Sequence, residues 1–232
     1  MSDIYKNLDA LNEKIADVCK ECGRSRDDVL LIAVTKTRTA EEINEAISWG
    51  ITDIGENKVQ EITDKYEKVH PVKWHMIGHL QTNKVKYIID KVSLIHSVDS
   101  VRLAEEINKR AGEKGLTAEI LIQINAAEEE SKFGIDKAGF ESLLETITEQ
   151  FEHIKIKGLM TIAPYDPDPE NVRIYFRQVK EIFDHYRDIH NDRMDFQHLS
   201  MGMSGDYEVA IQEGATMVRI GTAIFGVRNY QI

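Results

Sequence analysis

The chain has 232 residues, 42% of them hydrophobic, and a formal net charge of -11. The length suits one large domain or two small ones, and the apolar content is ample for a core. The acidic balance and low aromatic content argue against a nucleic-acid partner, which needs a basic face or a stacking platform. No apolar run approaches the ~20 residues that span a bilayer, and Met1-Ser2-Asp3-Ile4-Tyr5-Lys6 lacks signal-peptide character. A soluble cytoplasmic protein with no membrane partner is expected.

The first element is a helix over about 3–22, with helical spacing in Leu11 through Val18. Cys19 and Cys22 form a CxxC at its end. A structural zinc needs four ligands and no second pair exists, so these read as ordinary helix-end cysteines. Short β-rich apolar runs then recur at about 30–35, 51–55, 74–78, 93–98, 118–124, 155–162, 196–200 and 217–220. Amphipathic or charged stretches with helical spacing separate them, such as Glu41–Ile47, Val101–Ile107 and Val172–Tyr186. The densest breaker cluster, Pro164-Tyr165-Asp166-Pro167-Asp168-Pro169, reads as a loop before a helix. About eight strand–helix units demand parallel strands with right-handed crossovers. The expected fold is α/β: a single (β/α)8 TIM-type barrel over residues 1–232, with the first helix as an extra packed on it. No GxGxxG follows the first strand and no P-loop occurs, so nicotinamide and nucleotide-triphosphate readings lose support.

In such a barrel the chemistry sits at the C-terminal ends of the strands. The first run, Val29 through Thr35, is continuously apolar up to its end and closes on Lys36. A lysine at the mouth of a buried strand can condense with an aldehyde, and burial lowers its pKa enough to help. The ends of strands 7 and 8 carry Ser200, Gly202, Ser204, Gly221 and Thr222, small residues with hydroxyls and accessible backbone N–H groups. They read as a phosphate cradle, a common use of these two loops. Ser204 is placed to cap a helix over Asp206–Glu213, whose positive end would face an anion. Alternation in strand 8 puts Arg219 on the face of Met217 and Gly221, the barrel interior. There it needs an acceptor, either a barrel carboxylate or an aromatic ring nitrogen of a cofactor. Lysine, cradle and arginine together describe a pyridoxal 5′-phosphate (PLP) site. An arginine cannot accept the ring-nitrogen proton, so the ring would be a weak electron sink.

The segments Ala33-Val34-Thr35-Lys36, Gly55-Glu56-Asn57, His75 through Lys84, Gly158-Leu159-Met160, Leu199 through Ser204 and Val218-Arg219-Ile220-Gly221 resemble the pyridoxal phosphate homeostasis proteins. The resemblance runs in order from about Val29 to Phe225. That family looks like the barrel domain of alanine racemase standing alone. The resemblance implies a Schiff base at Lys36 and phosphate contacts from Ser200, Ser204, Gly221 and Thr222. It implies Arg219 near the pyridine nitrogen, with Asn57, His79 and Met201 lining the cofactor. The Ser131-Lys132-Phe133-Gly134 loop is either a surface turn or a second cofactor contact.

Two functions compete. One is a non-enzymatic carrier that holds PLP and supplies it to PLP-dependent apo-enzymes. The other is an amino-acid racemase, which needs a base on each face of the carbanion. In the racemases that this barrel resembles, the second base is a tyrosine from a separate β-domain contributed across a dimer. The chain ends at Ile232, just after strand 8, without room for that domain; this and Arg219 favour the carrier, and a monomer is expected. Tyr165 and Tyr207 stand as alternative bases, although Tyr207 reads better as packing at a helix start. His75, His79, His96 and His198 invite a metal reading, but no HxH pair or bridging carboxylate accompanies them.

Overall fold

Leu30–Val34 is strand β1, and from Leu31 onward it is buried, as a continuously apolar parallel strand should be. In the computed structural model, which describes residues 2–128 and 133–226, seven more strands follow. They are β2 (Asp53–Glu56), β3 (Lys73–Met76), β4 (Leu94–Val98), β5 (Ala118–Ile124), β6 (Ile154–Thr161), β7 (Met194–Ser200) and β8 (Met217–Ile220). All neighbours are parallel, and the sheet closes in chain order when β8 pairs back onto β1 through Leu30↔Met217 and Ile32↔Arg219. The expected TIM-type barrel is present. No helix among the described residues is long and apolar enough to cross a membrane.

The helices are α1 (Asp3–Glu21), α2 (Ala40–Trp49), α3 (Val59–Lys65), α4 (Val101–Glu113), α5 (Lys137–Gln150), α6 (Arg173–Tyr186), α7 (Tyr207–Gln212) and α8 (Thr222–Phe225). Caps set several of the starts. Ser2 accepts from the Tyr5 N–H, Thr39 and Glu42 form a reciprocal capping box, and Asp136 accepts from the Gly139 N–H. Between β3 and β4 the helical layer shrinks to a 3-10 stretch, Thr82–Tyr87. α8 is a single turn, and α1 packs against it, against α2 and against α7. The extra helix thus covers the side of the barrel that α8 is too short to cover, burying Leu8, Leu11, Ile15, Val18 and Cys19.

β2 begins two residues later than its apolar run. Ile51 is buried, but its N–H closes the end of α2 on Ala46 O at 3.2 Å, so it cannot join the ladder. The main core lies between barrel and helices, whereas a second apolar cluster fills part of the lumen: Ile32, Leu94, Leu121, Met160 and Met217. The rest of the lumen is polar. Arg219 shares its face of β8 with Met217, as alternation requires, and is 3% exposed.

Strand β6 meets β7 at Gly158↔His198, where Gly158 has φ +142° and an added Cβ would lie 1.9 Å from the His198 carbonyl oxygen. Gly158→Ala is expected to cost roughly 2–4 kcal/mol, because backbone on both strands must shift. Gly115→Ala, at φ +65° in open space, is expected to cost only about 1–2 kcal/mol. Urea denaturation of both variants checks the difference.

Candidate functional site

A cavity of about 270 Å³ opens at the C-terminal mouth of the barrel between β1, β2 and β8. Lys36, Asn57, Ser204, Arg219, Gly221 and Thr222 all line it. Its size is just below the roughly 300–1,000 Å³ usual for small-molecule sites.

Lys36 is half-buried and directly follows β1, on a backbone held from below. The Thr35 N–H donates to Gly55 O at 3.0 Å, and its hydroxyl donates to Glu56 Oε1 at 2.7 Å. Lys65 Nζ donates to Thr35 O at 2.9 Å, to Glu56 Oε1 at 2.7 Å and to Glu61 Oε2 at 2.8 Å. Glu61 Oε2 also accepts the Thr37 N–H at 2.6 Å, where Thr37 takes φ 65°. One ammonium therefore clamps the chain on both sides of Lys36. Burial pushes the Glu56 carboxyl up, and Lys65 pulls it back. The sequence reading did not find this clamp; its only local trace is Glu61 and Lys65 at helical i,i+4 spacing.

Arg219 donates from Nη1 to Ser200 Oγ at 2.5 Å and from Nη2 to Thr161 O at 2.8 Å. Burial lowers its pKa to about 10, and Asp206 opposes that shift, so the group stays a cation at neutral pH. Arg38, two residues after Lys36 and also missed from sequence, lines the same cavity. Its guanidinium donates to Gly226 O at 2.6 Å and lies 5.5 Å from the Phe225 ring centroid.

Other expected residues are placed differently. Ser200 is fully buried and its hydroxyl is occupied by Arg219 and His96, so it does not present itself to a phosphate in the cavity. Met201 is fully buried in the outer core and does not line the cavity. Ser204 is not a helix cap. The helix is only six residues long, begins at Tyr207 after Asp206, and the Asp206 carboxylate instead accepts the Met203 N–H at 2.5 Å. Ser204 nevertheless remains exposed at the cavity wall. His79 lies in an adjoining cavity of about 640 Å³ that shares Asn57, and it stacks on Phe133 at 3.9 Å and 15°. Of the Ser131–Gly134 loop, residues 131 and 132 lie outside the described residues.

Tyr207 is buried, which pushes its hydroxyl up to about 12, whereas Tyr165 is 92% exposed. His75 and His96 are hydrogen-bonded to each other at 2.9 Å inside the barrel. Burial and the positive neighbour Lys157 hold His198 down at about 4. Among the described residues no group of three or more His, Cys, Asp or Glu is placed to hold a metal.

The cavity thus brings together an amine on a fixed backbone, a buried cation and exposed hydroxyls. Asn57 lines this cavity, and its buried Oδ1 has no hydrogen-bond partner, a polar group left unsatisfied at the wall. At Gly221 an added Cβ would sit 3.1 Å from Val34 O, so the backbone turn approaches β1 closely. The fold and this donor set describe the barrel class of alanine racemases, and residues 7–229 match the family described as Alanine racemase, N-terminal domain. The chain is 44% identical to the pyridoxal phosphate homeostasis protein of Aquifex aeolicus (strain VF5), over 97% of this chain and 98% of that one. It is 38% identical to the protein of that name from Escherichia coli (strain K12), over 99% of both. Among solved structures, PipY of Synechococcus elongatus PCC7942 with PLP bound superposes with a TM-score of 0.82 at 32% identity, over 96% of this chain and 100% of that one. This chain belongs to the pyridoxal phosphate homeostasis protein family.

Lys65→Met is expected to destabilise the protein by about 3–5 kcal/mol, because it leaves the Glu56 charge buried and unpaired. The double variant Lys65→Met/Glu56→Gln is expected to recover part of that loss. Urea denaturation at neutral pH measures both.

Proposed function

We propose that this protein binds PLP through Lys36 and acts in PLP homeostasis, holding the cofactor and supplying it to PLP-dependent apo-enzymes without catalytic turnover. The observation that carries this reading is Lys36 and Arg219 facing one cavity with the Ser204 and Thr222 hydroxyls at its edge. The relatives are pyridoxal phosphate homeostasis proteins, and PipY was solved with PLP bound.

When bound, PLP supplies an aldehyde for the amine and a pyridine ring that can act as an electron sink. Lys36 would condense with the aldehyde, releasing water. Ser204, Thr222 and the backbone at Gly221 would hold the phosphate. Arg219 would donate to the pyridine nitrogen. Asn57 would contact the ring from the β2 side, with His79 and Phe133 at the rim. Ser200 and Met201 would act from behind the wall rather than touch the ligand.

Two features favour a carrier over a racemase. Arg219 only donates, so it would leave the ring nitrogen of bound PLP unprotonated and the ring a weaker electron sink. Tyr207 is buried, and its hydroxyl at about 12 is a poor second base.

Titration with PLP is expected to raise a visible absorbance band in the wild type and not in Lys36→Ala. The loaded protein is expected to restore a PLP-dependent apo-enzyme and to leave a single alanine enantiomer unchanged. Racemisation at about 1 s⁻¹ or faster, an ordinary enzymatic rate, would overturn the carrier reading.

A further inference from the structure

We propose that Asp53, His75, His96 and Ser200 are positioning residues for Arg219: a one-way hydrogen-bond chain that carries the Asp53 charge across the barrel lumen to the guanidinium. The Arg219 part of this inference rests on the PLP reading above; the chain itself does not.

The geometry is continuous. Asp53 Oδ1 lies 2.8 Å from His75 Nε2, His75 Nδ1 lies 2.9 Å from His96 Nε2, and His96 Nδ1 lies 3.0 Å from Ser200 Oγ. Arg219 Nη1 closes the row on Ser200 Oγ at 2.5 Å. Every member is buried. The row steps along adjacent strands from β2 to β4, crosses the lumen to β7 and ends on β8. Such lumens are ordinarily filled by layers of branched apolar side chains. A polar row in that place is tolerable only if each member is satisfied.

The two ends dictate the direction. Burial pushes the Asp53 carboxyl up, but hydrogen bonds from His75 and Thr52 outweigh this and hold it below the ordinary value. It is therefore an acceptor, and His75 Nε2 must carry the proton. Arg219 is a donor only. With His75 neutral, its Nδ1 accepts from His96 Nε2–H. His96 Nδ1 then accepts the Ser200 hydroxyl proton, and Ser200 Oγ offers its lone pairs to Arg219. Burial above all, with the Arg219 charge adding to it, holds His96 well below the ordinary histidine value, so it stays neutral. The reverse order fails. A charged His75 would force His96 Nδ1–H towards Ser200. The serine would then receive two donors, and its own proton would lack an acceptor in a fully buried place.

The electrostatic purpose follows. Among the described residues no carboxylate forms an ion pair with Arg219, and a buried cation needs compensation. Asp206 supplies part of it through space, and Asp53, polarising two neutral imidazoles and a hydroxyl, adds to it along the chain. Without a carboxylate in contact, the guanidinium keeps donor capacity for the cavity.

Two ligand-free measurements test the chain. Spectra of ¹⁵N-labelled histidine at pH 7 are expected to give His75 and His96 neutral with the proton on Nε2; a charged ring or an Nδ1–H form at either overturns the proposal. The Arg219 guanidinium ¹⁵N signals are expected to be resolved in the wild type and to collapse in Ser200→Ala; unchanged signals overturn the positioning role. A third measurement compares PLP with pyridoxal, which lacks the phosphate. Ser200→Ala and the remote Asp53→Asn are each expected to weaken both ligands by a similar factor, about tenfold, and Ser200→Thr is expected to restore binding. A loss confined to PLP would make Ser200 a phosphate ligand instead, and an unaffected Asp53→Asn would remove the remote charge from the account. Failure of the wild type to bind PLP would sink the functional reading alone, since the spectra of the free protein still decide the chain.

Discussion

Arg219 is a permanent cation inside a closed barrel, and much of the interior is arranged around that fact. It has a backbone carbonyl at Thr161 and a hydroxyl at Ser200 as its hydrogen-bond partners. Burying such a charge against apolar side chains alone would cost more than the fold could offset. The lumen is accordingly divided. Ile32, Leu94, Leu121, Met160 and Met217 pack one part of it, and the other part is given to Asp53, His75, His96 and Ser200. The outer core, between barrel and helices, supplies most of the apolar burial.

A second charged unit serves the neighbouring wall of the cavity, at the end of β1 beside β8. Lys65 gathers Thr35 O, Glu56 and Glu61, and Glu61 reaches the N–H of Thr37. The backbone flanking Lys36 is thereby fixed while its side chain stays half-buried at the mouth. The site is thus built with its amine and its guanidinium on elements that do not need a ligand to hold them. Such preorganisation reduces the ordering cost of binding.

The barrel was legible because its signals are local. Eight apolar runs with amphipathic stretches between them are enough to specify parallel strands and crossovers, and Lys36 and Arg219 can be located by counting along β1 and β8. Relations that depend on closure were not legible. Ser200 looks like a cradle hydroxyl in sequence, and only the register of β7 beside β8 gives it to Arg219. His75 and His96 are 21 residues apart in the chain and become partners because β3 and β4 are neighbours. Lys65 joins Thr35 and Glu56 because α3 packs on β2 and β2 is the neighbour of β1. Ser204 was misread as a cap because Asp206, two residues on, competes for the same turn and provides the carboxylate that accepts the Met203 N–H. Ile51 was misread as strand because its burial comes from closing a helix.

The central claim is that Lys36 holds PLP covalently. Borohydride reduction of the PLP-loaded protein, followed by peptide mass mapping beside a Lys36→Ala control, tests it most directly. The account predicts a pyridoxyl adduct on the Lys36 peptide and none at that position in the control. An adduct on another lysine with Lys36 unmodified, or no adduct after loading, would contradict it.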